Sequence, residues 1–164
     1  MKLIGLLSDT HGYLDPRFTK HLRICDEIWH AGDIGKIEVI EELEEITTVK
    51  GVYGNIDNHE IRLRYKEYLR FSCEEVNVIM THIGGYPGKY VKEVEVILEK
   101  NPPNLFISGH SHILKVINDE KLGLLHMNPG AAGNTGIHKV KTIIMFNINV
   151  DKISNLKVIE LQRN

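Results

Sequence analysis

Seven residues of this 164-residue chain could join in one piece of chemistry: Asp9, His11, Asp33, Asn55, His82, His110 and His112. The set comprises two carboxylates, one amide oxygen and four imidazoles, without a thiolate. Such donors suit borderline divalent cations such as manganese, iron, zinc or nickel, whereas calcium prefers shells built wholly of oxygen. Seven donors are too many for one zinc-like ion and suit two ions that share a bridging carboxylate. Any one of these residues alone would be read as a strand or turn cap. Their order and spacing carry the argument.

The elements that must position them show as apolar runs. Residues 2–7 read as a buried strand leading into SDTHGYLD, and 27–30 as a short strand ending in HAGD. Residues 47–53 are β-rich and end in GNID. A stretch over 61–80 is extended in character; its clearest strand, 76–80, ends at THIGG. Residues 105–108 are a short strand followed at once by GHSH. Between these lie helical stretches. Asp15-Pro16 offers a cap and a first-turn proline before Phe18, Leu22 and Cys25 at helical spacing. Ile37, Ile40 and Leu43 make one apolar stripe. Val91, Val94, Ile97 and Leu98 make another, which Asn101-Pro102-Pro103 stops.

The last third reads as strands at 113–117, 122–127, 140–148 and 153–161 joined by turn-rich pieces. Strand–helix alternation followed by antiparallel strands implies one mixed α/β domain over residues 1–164, with more than one sheet. Ligands in α/β folds collect at the carboxyl ends of strands, so clusters far apart in sequence could face one another. Within D-x-H and H-x-H, residues two apart in an extended segment project to the same side. Gly12, Gly32, Gly54, Gly84 and Gly109 sit beside the proposed donors, where tight turns and close backbone approach are needed.

The series D-x-H (9–11), G-D (32–33), G-N-x-D (54–57), T-H (81–82) and G-H-x-H (109–112) resembles the calcineurin-like metallophosphoesterase superfamily. The short length and the NPGA at 128–131 are similar to its small bacterial and archaeal phosphodiesterase branch, to which the retromer vacuolar-sorting subunit is related. The resemblance covers nearly the whole chain. It implies a four-layer sandwich of two mixed β-sheets flanked by α-helices. It also implies that Asp9, His11 and His112 bind one metal, that Asn55, His82 and His110 bind the other, and that Asp33 bridges them. Manganese is the preferred ion, with nickel, iron and zinc as alternatives.

Two such ions roughly 3.5–4 Å apart could hold a bridging water and supply hydroxide for in-line attack on phosphorus. The function expected is phosphodiester hydrolysis. Asp33, Asn55 and a proton donor would form the catalytic group. Many relatives carry histidine directly after the motif asparagine, whereas this chain has Ile56, which transfers no proton. His59 is the nearest alternative acid. His30 and Asp57 are expected behind the metal ligands, orienting them. The alternative function is a non-catalytic, protein-binding scaffold of the same fold, like the retromer subunit.

Composition excludes little else. Twenty lysines and arginines against 22 aspartates and glutamates give a formal charge of −2, which offers no general attraction to nucleic acid. The resemblance makes a small phosphate ester the expected partner, and exposed edge strands leave room for a homo-oligomer. Two distant cysteines make neither a disulfide framework nor a metal knuckle. The apolar opening run is too short for a signal peptide or a membrane span, so a cytoplasmic setting is expected. Cys25 and Cys73 read as inert core residues, and His21, His126 and His138 as structural or surface residues. Arg62, Arg64, Lys66 and Arg70, with Tyr65 and Tyr68 among them, could contact substrate. They read better as a charged edge strand.

Overall fold

A computed structural model describes residues 1–163. In chain order the elements are β1 (Lys2–Leu7), α1 (Pro16–Leu22), β2 (Glu27–His30), α2 (Ile37–Glu44), β3 (Thr48–Gly51) and α3 (His59–Arg64). Then follow β4 (Tyr68–Cys73), β5 (Val76–Thr81), the short β6 (Gly85–Tyr86) and β7 (Lys89–Tyr90), and α4 (Lys92–Lys100). The last strands are β8 (Leu105–Ile107), β9 (Leu114–Asp119), β10 (Leu124–Pro129), β11 (Val140–Asn149) and β12 (Lys152–Gln162).

Two five-stranded sheets form, ordered β12-β11-β1-β2-β3 and β4-β5-β8-β10-β9, beside the two-stranded β6-β7 ribbon. In the first, β1, β2 and β3 are parallel, while β11 and β12 add antiparallel. In the second, β5, β8 and β10 are parallel and the edge strands β4 and β9 are antiparallel. Both sheets are therefore mixed, as expected.

Side-chain alternation along the strands divides the core into layers. Ile4, Leu6, Trp29, Ile144 and Phe146 of the first sheet meet Val78, Met80, Ile107 and Met127 of the second in one apolar interior. The opposite face of the first sheet, through Leu7, Ile28, Ile143 and Met145, buries Phe18 and Leu22 of α1 and Val39, Ile40 and Leu43 of α2. The outer face of the second, through Ile79, Phe106 and Leu124, takes Val94 and Leu98 of α4. The result is helix, sheet, sheet, helix: the four-layer sandwich that the resemblance implied. Among the described residues no helix is long and apolar enough to cross a membrane.

Local expectations fare unevenly. Asp15 caps α1 by accepting from the Arg17 amide, with Pro16 in the first turn. The helix ends at Leu22, so Cys25 does not continue its stripe; Cys25 is buried instead by the turn that returns the chain to β2. Burial pushes its thiol up to about 11 and raises that of Cys73, leaving both inert.

The larger correction concerns residues 61–80, which are not extended throughout. Asn58 Oδ1 accepts from the Ile61 amide at 3.1 Å and starts α3, placing Arg62 and Arg64 on a helix rather than an edge strand. On that helix Ile61 is buried, while Leu63 is 75% exposed on the far side. Only Arg70 of that basic stretch lies on the edge strand β4.

Candidate metal centre

The proposed donors leave the carboxyl ends of parallel strands at one end of the sandwich. Asp9 and His11 follow β1, Asp33 follows β2 and Asn55 lies in the loop after β3; His82 follows β5, and His110 and His112 follow β8. Backbone hydrogen bonds tie these loops together. Asp9 N–H donates to the Gly32 carbonyl, His11 N–H to Asp33, and Gly109 N–H to His82, at 2.9–3.0 Å. Ala132 N–H reaches Ser8 at 2.9 Å.

Five of the seven donors adopt the left-handed backbone region: Asp9 (φ 54°), His11 (47°), Asp33 (52°), His110 (71°) and His112 (60°). The D-x-H and H-x-H pairs are thus not extended, and their convergence comes from left-handed turns rather than from strand alternation. Such φ values are uncommon for residues with a Cβ and concentrate where surrounding structure over-determines the backbone for function.

Side-chain geometry brings all seven together. Asp33 Oδ2 lies 3.5 Å from His11 Nε2 and 3.2 Å from His82 Nε2. Asp9 Oδ1 lies 3.2 Å from His112 Nε2 and 3.8 Å from His11 and His82 Nε2. Asn55 Oδ1 is 3.1 Å from His110 Nδ1. Two triads emerge, Asp9/His11/His112 and Asp33/His82/His110, each able to offer its ligand atoms within 4.8 Å of one another. Asp9, Asp33 and His82 are buried, His11 and His112 half-buried, and Asn55 and His110 exposed. The site opens to solvent on that last side.

Each buried carboxylate is divided in labour. Asp9 Oδ2 accepts from Ser8 Oγ at 2.6 Å and from the His110 amide at 3.1 Å, while Oδ1 faces the imidazoles. Asp33 Oδ1 accepts from the Ile56 amide at 3.1 Å, while Oδ2 faces them. His82 Nδ1 donates to the Ala31 carbonyl at 2.8 Å, which turns the Nε2 lone pair inward. Asp9 Oδ1, His11 Nε2 and His82 Nε2 are buried without a hydrogen-bond partner among the described residues. Burial opposes charge on Asp9 and Asp33, yet the neighbouring imidazoles hold both carboxyls below their usual range. Reciprocally, Asp9 raises His11; burial pulls His82 down, but Asp33 and Asp9 outweigh it and raise it.

Packing leaves no slack around these groups. A Cβ on Gly32 would sit 2.7 Å from His82 Nδ1, and one on Gly109 would sit 2.2 Å from Ser8 Oγ.

Behind the donors, His30 is fully buried. The Gly32 amide donates to its Nδ1 at 3.1 Å, so its Nε2–H donates to Thr10 Oγ1 at 2.9 Å, and Thr10 donates onward to the Ile34 carbonyl. This fixes a neutral tautomer and locks the 9–11 loop to the 30–34 loop. Asp57 accepts from the amides of Ile34, Gly35 and Gly54 at 2.7–3.2 Å, clamping the Asp33 loop to the Asn55 loop. His59 stands exposed at the first turn of α3. It is not among the residues lining the cavity beside Asn55 and His82.

Several supporting residues are silent in the sequence reading. Ser8 has no spacing signal. Asn128, from the NPGA segment, donates to the Gly109 carbonyl at 2.9 Å and holds the GHSH loop. His138, read as structural or surface, packs its ring edge-on against His112 at 5.2 Å, with Nε2 donating to the Gly133 carbonyl. His126 lies away from the donors, buried among Tyr86, Tyr90 and Phe106.

His30 and His126 also predict an acid-sensitive fold. Burial lowers each to about 4. Near pH 7 both folded and unfolded states hold them neutral. As pH falls from about 6.5 towards 4 only the unfolded chain gains the proton, so stability drops by about 3 kcal/mol per group and levels off below. Urea unfolding at pH 7 and 4.5 should show this loss, and His126→Leu should remove roughly half of it. An unchanged acid loss in that variant would refute the assignment.

Fold and candidate donor set together fit a metallophosphoesterase. Residues 1–151 match the calcineurin-like phosphoesterase superfamily domain, and the chain belongs to that family. It is 30% identical over 135 residues to a protein named as a probable metallophosphoesterase from Methanocaldococcus jannaschii, covering 79% of this chain and 67% of the relative. Among solved structures it is similar to zinc-complexed Vps29 from Entamoeba histolytica, with TM-score 0.76, 17% identity and 99% of each chain covered. It is also similar to a structure described as a novel archaeal phosphodiesterase, with TM-score 0.75, 21% identity, and 97% and 99% covered.

Proposed function

We propose that the chain, as one catalytic unit over residues 1–164, hydrolyses phosphodiesters with two divalent cations, Mn²⁺ foremost. The observation that carries this reading is the inward set of lone pairs on Asp9, His11 and His82, buried without hydrogen-bond partners among the described residues. Leaving such polar atoms buried and unpaired costs about 1–3 kcal/mol each, a cost that a bound cation offsets. The donors fit that role chemically: neutral imidazoles and carboxylates suit borderline divalent ions.

Asp9, His11 and His112 would hold one ion, and Asn55, His82 and His110 the other. Asp33, whose Oδ2 stands between His11 and His82, would serve both. When bound, such a pair neutralises phosphoryl oxygens and makes hydroxide available near neutral pH. The chain's own residues orient these groups: Asp57 and His30 fix the loops, and the Ala31 carbonyl fixes the His82 tautomer. Hydroxide attack on phosphorus releases the alcohol arm, which takes up a proton as it leaves. Ile56 supplies none, so esters with good leaving groups are favoured; His59, exposed on α3 outside the cavity lining, could serve poorer ones only after a movement of its side chain. His59→Ala should slow poor leaving groups more than good ones; equal slowing would remove it from the role.

The test is to strip the protein with a chelator and add Mn²⁺, Ni²⁺, Zn²⁺ or Mg²⁺, following hydrolysis of bis(p-nitrophenyl) phosphate and the melting temperature. Restored turnover together with a raised melting temperature is the expected result. The second reading is a partner-binding scaffold, favoured by the likeness to Vps29 and by the exposed Ile113 and Ile137 beside His112. Stabilisation by metal without turnover would select it.

A further inference from the structure

A cavity of about 200 Å³ adjoins the Asn55–His82 side of the centre, lined in part by Tyr53, Asn55, Arg62, Glu67, Thr81 and His82. Arg62 is held there from three sides. Its Nε–H donates to the Asp57 carbonyl at 2.7 Å and one Nη2–H to the Asn55 carbonyl at 3.2 Å, while the guanidinium stacks 4.6 Å from the Tyr53 ring centre. A guanidinium has five N–H donors, so three remain. At the rim of the same ring, the Tyr53 hydroxyl donates to Glu67 Oε2 at 3.4 Å. Glu67 keeps further lone pairs as acceptors. One aromatic ring therefore touches both a fixed donor group, over its face, and an acceptor group, at its hydroxyl, in a cavity that Asn55 and His82 also line.

The chemistry of that lining discriminates among occupants. An arm bearing its own negative charge would meet the Glu67 carboxylate. A wholly apolar arm would strip water from Arg62 and Glu67 without replacing its hydrogen bonds. A neutral arm with adjacent hydroxyls satisfies both, since each hydroxyl donates and accepts. Building on the phosphodiesterase reading, we infer that this cavity is a specificity subsite for a polyhydroxylated alcohol arm, with Arg62 as donor and Glu67 as acceptor. The basic residue on α3 is thereby assigned to substrate selection.

The test compares two esters with the same leaving group, 2,3-dihydroxypropyl p-nitrophenyl phosphate and methyl p-nitrophenyl phosphate, with Mn²⁺-loaded protein. The linear monoester is counted by ³¹P NMR apart from any cyclic phosphate, because the neighbouring hydroxyl can displace p-nitrophenolate unaided, and the metal-only rate is subtracted. The dihydroxypropyl ester should show about tenfold higher kcat/KM, the worth of one to two net hydrogen bonds. Arg62→Gln and Glu67→Gln should each bring the ratio towards one. Arg64→Gln, on the same helix but paired with Glu44, should keep it. A wild-type ratio near one overturns the proposal. So does equal slowing of both esters by Arg62→Gln, because Arg62 would then only brace the Asn55 loop.

If neither ester is hydrolysed, the phosphodiesterase reading falls. Calorimetry with 2,3-dihydroxypropyl methylphosphonate and methyl methylphosphonate then decides the subsite separately. A tenfold preference lost in Glu67→Gln upholds it; equal affinities or no binding overturn it.

Discussion

Replacing Asp33 by alanine is expected to abolish metal-dependent turnover, lowering kcat/KM by about 10³-fold or more, the scale on which essential electrostatic groups act. The carboxylate belongs to one triad and reaches the other: its Oδ2 lies 3.2 Å from His82 of its own cluster and 3.5 Å from His11 of the neighbouring one. In the proposed scheme its loss would remove a shared donor from both cation sites, and it leaves the Ile56 amide without its acceptor. Asp33→Asn separates these effects, since an amide oxygen can still accept from Ile56 but carries no charge. Calorimetric Mn²⁺ titration should show weakened binding in both variants, more in alanine. Turnover within tenfold of wild type in metal-saturated Asp33→Ala would sink the scheme.

Gly54→Ala should damage the site almost as severely, although glycine bears no ligand. A Cβ there would lie 2.1 Å from Asp33 Oδ1 and 2.3 Å from the Asp33 backbone nitrogen. The second contact is with main chain, so no rotamer change relieves it. Either the Asn55 loop retreats, breaking the 2.7 Å bond from Gly54 N–H to Asp57, or Asp33 is displaced. Overpacking of this kind costs about 1–3 kcal/mol in stability. Displacing a ligand through its supports typically weakens metal binding roughly 10–100-fold. Chelator-treated protein reports the first by urea unfolding, and Mn²⁺ titration reports the second. Wild-type values in both would show that the loops yield where the geometry says they cannot.

The parts of this site legible in the sequence were those set by chain order. A buried strand must end somewhere, and here the ends read DTH, GD, GN, TH and GHSH, so within each sheet their gathering at the carboxyl end follows from parallel topology. The means of gathering was not legible. Left-handed φ at five donors is imposed by neighbouring loops, through bonds such as His11 N–H to Asp33 O, and no local propensity announces it. The same holds for the supports. Ser8 and Asn128 are ordinary residues until the fold places them beside Asp9 and Gly109.

The α3 segment misled for a different reason. Six residues are too few for periodicity to separate an extended run from a one-and-a-half-turn helix, and the Asn58 cap decided the outcome. His126 and His138 show the limit from the other side. Both lie in the antiparallel part of the sequence reading, yet one is sealed among aromatic rings and the other touches His112.

The donors are shared between the two sheets: Asp9, His11, Asp33 and Asn55 hang from one, and His82, His110 and His112 from the other. The site therefore straddles a seam, and its internal spacing is only as constant as the alignment of one sheet over its fellow. Interdigitated Trp29, Phe146, Met80 and Met127 keep that alignment, because a close-packed interior resists shear. Residues in the middle of the sandwich thus act as the gauge that sets distances at its rim.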